Sequence, residues 1–163
     1  MSFVNGRLAE QRVISMFNKL GVPCKKSEKE LLEYDIEFEV RGKKRTAEIK
    51  FDMMAEKTGN LAIEYWNSKK DSASGITATK AHIWIICILD DVNITIWATS
   101  VKVMKKFLDT TEPKRRISKG GDKNAELMLY DADLMLKAIF HRLDTITDSL
   151  VMQSTIERIM RVK

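Results

Sequence analysis

Residues 34–51, YDIEFEVRGKKRTAEIKF, alternate apolar and polar side chains twice, with a glycine between the two runs. In the first run Ile36, Phe38 and Val40 are apolar, and Asp35, Glu37 and Glu39 are acidic. In the second, Ala47, Ile49 and Phe51 alternate with Thr46, Glu48 and Lys50. Period-two patterning marks strands buried on one face, so the stretch predicts a β-hairpin. Gly42-Lys43 is the expected two-residue turn, because glycine at the first central position suits type II′. That register pairs Arg41 with Lys44, Glu37 with Glu48 and Asp35 with Lys50. All six apolar residues then share one face, and the carboxylates and Lys50 share the other.

Like charges directly opposite each other, as Glu37 and Glu48 are in this register, destabilise a sheet unless a cation offsets them. A divalent metal is one such cation, and carboxylate oxygens suit Mg²⁺ or Mn²⁺. A sheet face simply solvated by water is the other reading, and the pattern by itself leaves both open.

Asp35 followed by Glu48-Ile49-Lys50 on the next strand resembles the signature of the PD-(D/E)XK nuclease superfamily, with Tyr34 where the family's leading proline stands. Gly6-Arg7-Leu8-Ala9-Glu10 is similar to the GxxxE opening of the superfamily's Holliday-junction resolvases. GNLAIEY at 59–65, paired with SGITATKA at 74–81, resembles phage-type members. The resemblance spans about residues 3–100. It implies an α/β fold, a mixed β-sheet flanked by helices, with a restriction-endonuclease-like αβββαβ core and C-terminal helices. It further implies a DNA endonuclease using Mg²⁺, with Mn²⁺ able to substitute. Asp35, Glu48, the Ile49 carbonyl and Glu10 are the implied metal ligands. Lys50 is the implied catalytic cation, which makes Glu10, Asp35, Glu48 and Lys50 the catalytic set. Lys80 is positioned by it to hold a phosphate. Glu64 is an accessory acid, able to position water or to face solvent.

The remainder of the chain fits a single domain over 1–163. A length of 163 residues supports one core, and 44% apolar content is ordinary for a globular protein. No run reaches the length of a membrane span, and no leader pattern opens the chain, so no membrane partner is expected. Cys24 and Cys87 form neither a disulfide framework nor a zinc motif, which suits the cytoplasm, of a host cell if the source is viral. No small-molecule cofactor is implied.

Residues 3–20 predict a helix with Leu8, Val13, Phe17 and Leu20 on one stripe, Asn5 as cap and Gly21 as stop. A loop is expected over 21–33, a third strand over 61–66, and a flexible loop over 68–75. His82–Leu89 reads as a central strand buried on both faces, and Val92–Ala98 as a strand nearer the edge. Ser100 is expected to cap a helix, and so are Asp131 and Asp148. The helix after Asp131 is expected to carry Leu136, Ile139, Phe140 and Leu143 on one stripe. The last helix, within a helical part spanning 131–161, carries Met152, Ile156, Ile159 and Met160.

Residues 102–123 hold eight basic side chains against three acidic ones, a local excess equal to the chain's net charge of +5. Pro113, Gly120 and Gly121 make 109–123 read as a loop. Its Lys114, Arg115, Arg116 and Lys119 are candidate phosphate contacts. A solvated loop is the plainer alternative. Among nuclease substrates, a four-way junction fits the Glu10 helix and the basic arm. Flap, single-stranded or duplex DNA comes next. A non-catalytic nucleic-acid-binding module is the reading from another class. Cutting a junction symmetrically requires two sites, which implies a homodimer, with Ile156, Ile159 and Met160 as the candidate contact patch.

Overall fold

A computed structural model describes residues 3–28, 34–120 and 124–161, the side chains of 3, 4, 119 and 120 excepted. The chain runs α1 (Phe3–Lys19), β1 (Cys24–Lys26), β2 (Ile36–Val40), β3 (Lys43–Asp52), α2 (Ala55–Thr58), β4 (Asn60–Asn67) and β5 (Ser72–Ala73). A 3₁₀ turn follows at Gly75–Thr77, then β6 (Ile83–Asp90), β7 (Asn93–Ser100) and α3 (Val101–Thr110). The last part holds β8 (Arg115–Gly120), β9 (Ala125–Asp131), α4 (Ala132–Ile139), β10 (His141–Arg142) and α5 (Ser149–Met160).

Two sheets organise these elements. The first has the order β1-β2-β3-β6-β7-β10; β3 and β6 are parallel and every other neighbouring pair is antiparallel. The second, β5-β4-β9-β8, is antiparallel throughout. This is the expected mixed sheet flanked by helices, but the third expected strand, β4, leaves the first sheet and founds the second one.

The hairpin forms, with a different turn. Val40 pairs with Lys43, so Arg41-Gly42 makes the bend, with φ of +47° and +74°. Positive φ at both central residues is the type I′ geometry, whose twist matches the flanking strands. The register shifts by two residues, which leaves the faces unchanged. Glu37 now faces Thr46 and Glu39 faces Lys44, which removes the Glu37–Glu48 clash. Ile36, Phe38, Val40, Ala47, Ile49 and Phe51 are all buried, as the alternation requires.

β6 lies between β3 and β7 and has a core on each face. Ile83, Ile85 and Cys87 join the hairpin's apolar face beneath α1 and α5, where Phe17 meets Phe38 edge-to-face at 5.4 Å. Trp84, Ile86 and Ile88 join Leu61, Ile63, Met128 and Tyr130 of the second sheet, together with α3 and α4. Ser100, Asp131 and Asp148 cap their helices, accepting from the backbone N–H three residues on at 3.1, 2.9 and 3.0 Å.

Several expectations fail for local reasons. Asn5 is not a cap; α1 starts before it, and its amide donates to Met53 Sδ at 3.1 Å. Leu8 is exposed, and Ala9 takes its place in the buried stripe with Val13 and Phe17. β1 occupies part of the loop over 21–33, of which 29–33 lie outside the described residues. The segment over 68–75 is hydrogen-bonded structure, since β5 pairs back on β4. The basic loop contains β8, paired with β9, while 121–123 lie outside the described residues. α4 ends at Ile139, because β10 must pair with β7, so Leu143 packs under the first sheet instead. Ile156 and Ile159 are buried in that same core, with Met160 packed against it, so the candidate dimer patch is covered by its own chain.

Candidate active site

The type I′ register carries Asp35 past the end of β2 to lie beside Glu48. The Asp35 N–H donates to the Ala47 carbonyl at 2.9 Å, and its Oδ2 accepts from the Ile49 N–H at 2.7 Å. The side chain thus continues the ladder where β2 has stopped. N–H and C=O of one strand residue point to the same side, so the Ile49 carbonyl is also directed past the end of β2. On the polar face of β3, Lys50 Nζ lies 2.6 Å from Glu48 Oε1, with the two side chains 37% and 14% exposed.

The electrostatics follow from this crowding. Burial pushes the Asp35 carboxyl up to about 6, and the negative charge of Glu48 adds to the effect. The Ile49 N–H and Lys50 pull the other way, and the more distant Glu10 pushes up again. Burial pulls the Lys50 ammonium down, but Glu48, Asp35 and Glu64 outweigh it and leave its pKa above the ordinary lysine value. Lys50 Nζ also lies 5.5 Å from the centroid of the Trp84 ring, which is 1% exposed. Trp84 stands beside Glu48 in the β3–β6 register.

Two acids reach this centre from other elements. Glu10 on α1 is paired to Lys26 of β1 at 3.0 Å and lies close enough to Asp35 to raise its pKa. Glu64 on β4 accepts a short hydrogen bond from Ser74 Oγ, and its charge is felt by Lys50. The structure therefore brings Glu10, Asp35, Glu48, Lys50 and Glu64 into one electrostatic neighbourhood.

The cationic candidates are more dispersed. Lys80 is exposed just after the 3₁₀ turn. Lys114 is engaged with Asp131 and Asn60, each at 3.2 Å. Arg115 and Arg116 are exposed on β8, and the Arg116 guanidinium lies 5.7 Å from the Tyr65 ring. The Lys119 side chain lies outside the described residues. Trp84, Ser74 and Lys26 escaped the sequence reading. A lone tryptophan in the aliphatic run IWIICIL was the one available signal.

No protein-family model and no curated protein matches the sequence. Among solved structures the chain is similar to a bacterial homing endonuclease, I-Ssp6803I, with a TM-score of 0.54 and 17% identity. The match covers 97% of this chain and 92% of that one, so the likeness includes the part beyond residue 100. The mixed α/β architecture, with its helix-flanked mixed sheet, is an endonuclease-like fold.

Proposed function

We propose that the chain is a metal-dependent DNA endonuclease whose centre is Asp35, Glu48 and Lys50, a member of the PD-(D/E)XK superfamily. The observation that supports this best is the pairing of two crowded carboxylates with a lysine on an endonuclease-like fold. Burial and the neighbouring Glu48 push the Asp35 carboxyl up to about 6, a perturbation of the kind that functional sites concentrate.

The donor set fits Mg²⁺. Among the described residues no group of three or more His, Cys, Asp or Glu side chains is arranged to hold a metal ion. Mg²⁺ asks for none, because it keeps several waters and takes one or two carboxylates. Asp35, Glu48 and the Ile49 carbonyl are its ligands in this proposal, with Glu10 contributing directly or through water. Mn²⁺ suits the same oxygens. When bound, such an ion would lower the pKa of a water and stabilise charge on the phosphate. Asp35 would hold the ion in its carboxylate form. Glu48 holds the Lys50 ammonium in place, and Lys50 presents that charge to the attacked phosphate. Glu64, fixed by Ser74 and felt by Lys50, is the accessory acid that would orient a water.

A four-way junction is the substrate suggested by the Glu10 helix and the basic strand β8. It requires a homodimer, with a contact other than the α5 stripe. The second reading is an endonuclease acting on flap, single-stranded or duplex DNA, and the similar solved structure is that of a homing endonuclease. One gel decides among them. Junction, flap, single-stranded and duplex DNA are each incubated with and without Mg²⁺, beside Asp35→Asn. Mg²⁺-dependent cuts absent from the variant are expected. Binding without cutting of any substrate leaves only the nucleic-acid-binding module.

A further inference from the structure

The segments 68–74 and 114–120 border the second sheet, and Arg116 of β8 together with Lys69 and Lys70 beyond β4 flanks one strand of it, β4. β4 starts this line at Glu64, whose carboxylate acts on Lys50. The next residue, Tyr65, carries the Arg116 guanidinium over its ring and donates its hydroxyl to Glu126 at 3.1 Å. Arg116 is thereby drawn from the outer strand β8 toward β4. At the far end of β4, Lys69 and Lys70 are exposed in the turn to β5.

That turn is held on three sides. Ser68 donates from both N and Oγ to the Asn124 carbonyl, at 2.8 and 2.9 Å, which ties it to the start of β9. Lys70 N–H donates to Asn67 Oδ1 at 3.0 Å. Behind it, Gly75 is packed so closely on β4 that an added Cβ would lie 2.2 Å from the Glu64 carbonyl oxygen. Two acids near the line are engaged, Glu64 by Ser74 and Glu126 by Tyr65, while Asp71, exposed beside Lys70, offsets one of the two lysine charges.

We propose that β4 is a ruler for the phosphate backbone of duplex DNA. The backbone leaves the Asp35–Glu48–Lys50 centre, passes Arg116, and reaches Lys69 and Lys70. This rests on the nuclease reading and assigns that site its flanking contacts. Across the bulge at Tyr65, Glu64 to Asn67 spans two steps of the partner strand, Leu127 to Ala125, or about 7 Å. A duplex rises by the same length in about two nucleotide steps. Cations placed along such a path hold a duplex by its phosphates without reading its sequence. Lys114 is not part of the ruler, because Asp131 and Asn60 hold it.

The test uses the full chain in metal-free buffer, so that cleavage does not enter, with a labelled duplex titrated over a range of salt. Arg116→Ala and the double change Lys69→Ala/Lys70→Ala are each expected to weaken binding. Each should also flatten the log–log salt dependence by roughly 0.9 per phosphate contact removed. Lys105→Ala/Lys106→Ala is the control, since these exposed lysines sit on α3, which packs on β6, β7 and α4. It removes the same charge and should leave the wild-type slope. Unchanged slopes in the β4-line variants overturn the ruler, and so does equal flattening in the control. A wild-type chain that binds no duplex at any salt also overturns the ruler, whereas the nuclease reading falls only if no substrate is cut in the Mg²⁺ gel.

Discussion

Asp35 is the residue on which stability and chemistry pull in opposite directions. Its folded-state pKa of about 6 stands above the ordinary value of 3.8. The folded chain therefore holds this proton more tightly than the unfolded one. The associated stability is fully present below 3.8 and is lost as pH rises through about 6. A shift of this size corresponds to at most about 3 kcal/mol. Asp35→Asn keeps an oxygen to accept from Ile49 N–H and never ionises. Its melting temperature in metal-free buffer is expected to exceed the wild type's, by a margin that grows between pH 4 and pH 7. Mg²⁺ at neutral pH should narrow that margin by stabilising the wild type alone; thermal melts with and without the ion measure both effects. Cleavage, in contrast, should fall about 10²–10³-fold for Asp35→Asn, Glu48→Gln or Lys50→Ala. A single-turnover rate equal to wild type removes the residue concerned from the centre. Trp84 affords a subtler check, because its ring lies under Lys50. Trp84→Leu should lower the rate about tenfold and Trp84→Phe should largely restore it, as a partly desolvated cation–π contact requires.

Among the elements, those whose signal is local were readable from the chain. The hairpin's faces follow from residues 34–51 alone, β6 from its continuous apolar run, and three helix starts from Ser100, Asp131 and Asp148. Each depends on periodicity or on a hydrogen bond between near neighbours. Pairing between distant segments was not readable. β4 alternates as well as β2 does, yet nothing in LAIEYW says that its partner is β9, some 60 residues later. β8 carries RRISKG, whose charges read as loop, because an edge strand needs no apolar partner on its open side. The centre was legible for the same reason as the hairpin, since Asp35, Glu48 and Lys50 lie on adjoining strands. Ser74 and Trp84 come from other elements and were not. The 3₁₀ turn shows how such a contact is enforced. Gly75 has φ of +52° and no room for a Cβ against the Glu64 carbonyl. Gly75→Ala should cost about 1–3 kcal/mol and displace Glu64. A melt unchanged from wild type would show that the turn does not press on β4.

At the scale of the whole molecule, the question is whether two copies act together, and α5 bears on it directly. Its apolar stripe, read from the sequence as a surface for a second chain, instead closes the core beneath the first sheet. Met152 and Ile156 are fully buried there, and Arg41 and Glu157 seal the hairpin end with an ion pair at 2.8 Å. Removing side-chain volume at such a site costs transfer energy and leaves a cavity, typically about 2–5 kcal/mol for isoleucine to alanine. Ile156→Ala is therefore expected to lower the melting temperature and to leave the sedimentation behaviour at matched concentration as it was. A variant that melts like wild type but sediments as a smaller species would return α5 to the interface. Junction cleavage adds the second half of the test, since two strands related by a two-fold axis must both be cut. Paired symmetric nicks by a chain that sediments as a dimer on the junction fit the resolvase proposal. Single nicks by a chain that stays monomeric on junction DNA leave the general endonuclease and remove the resolvase.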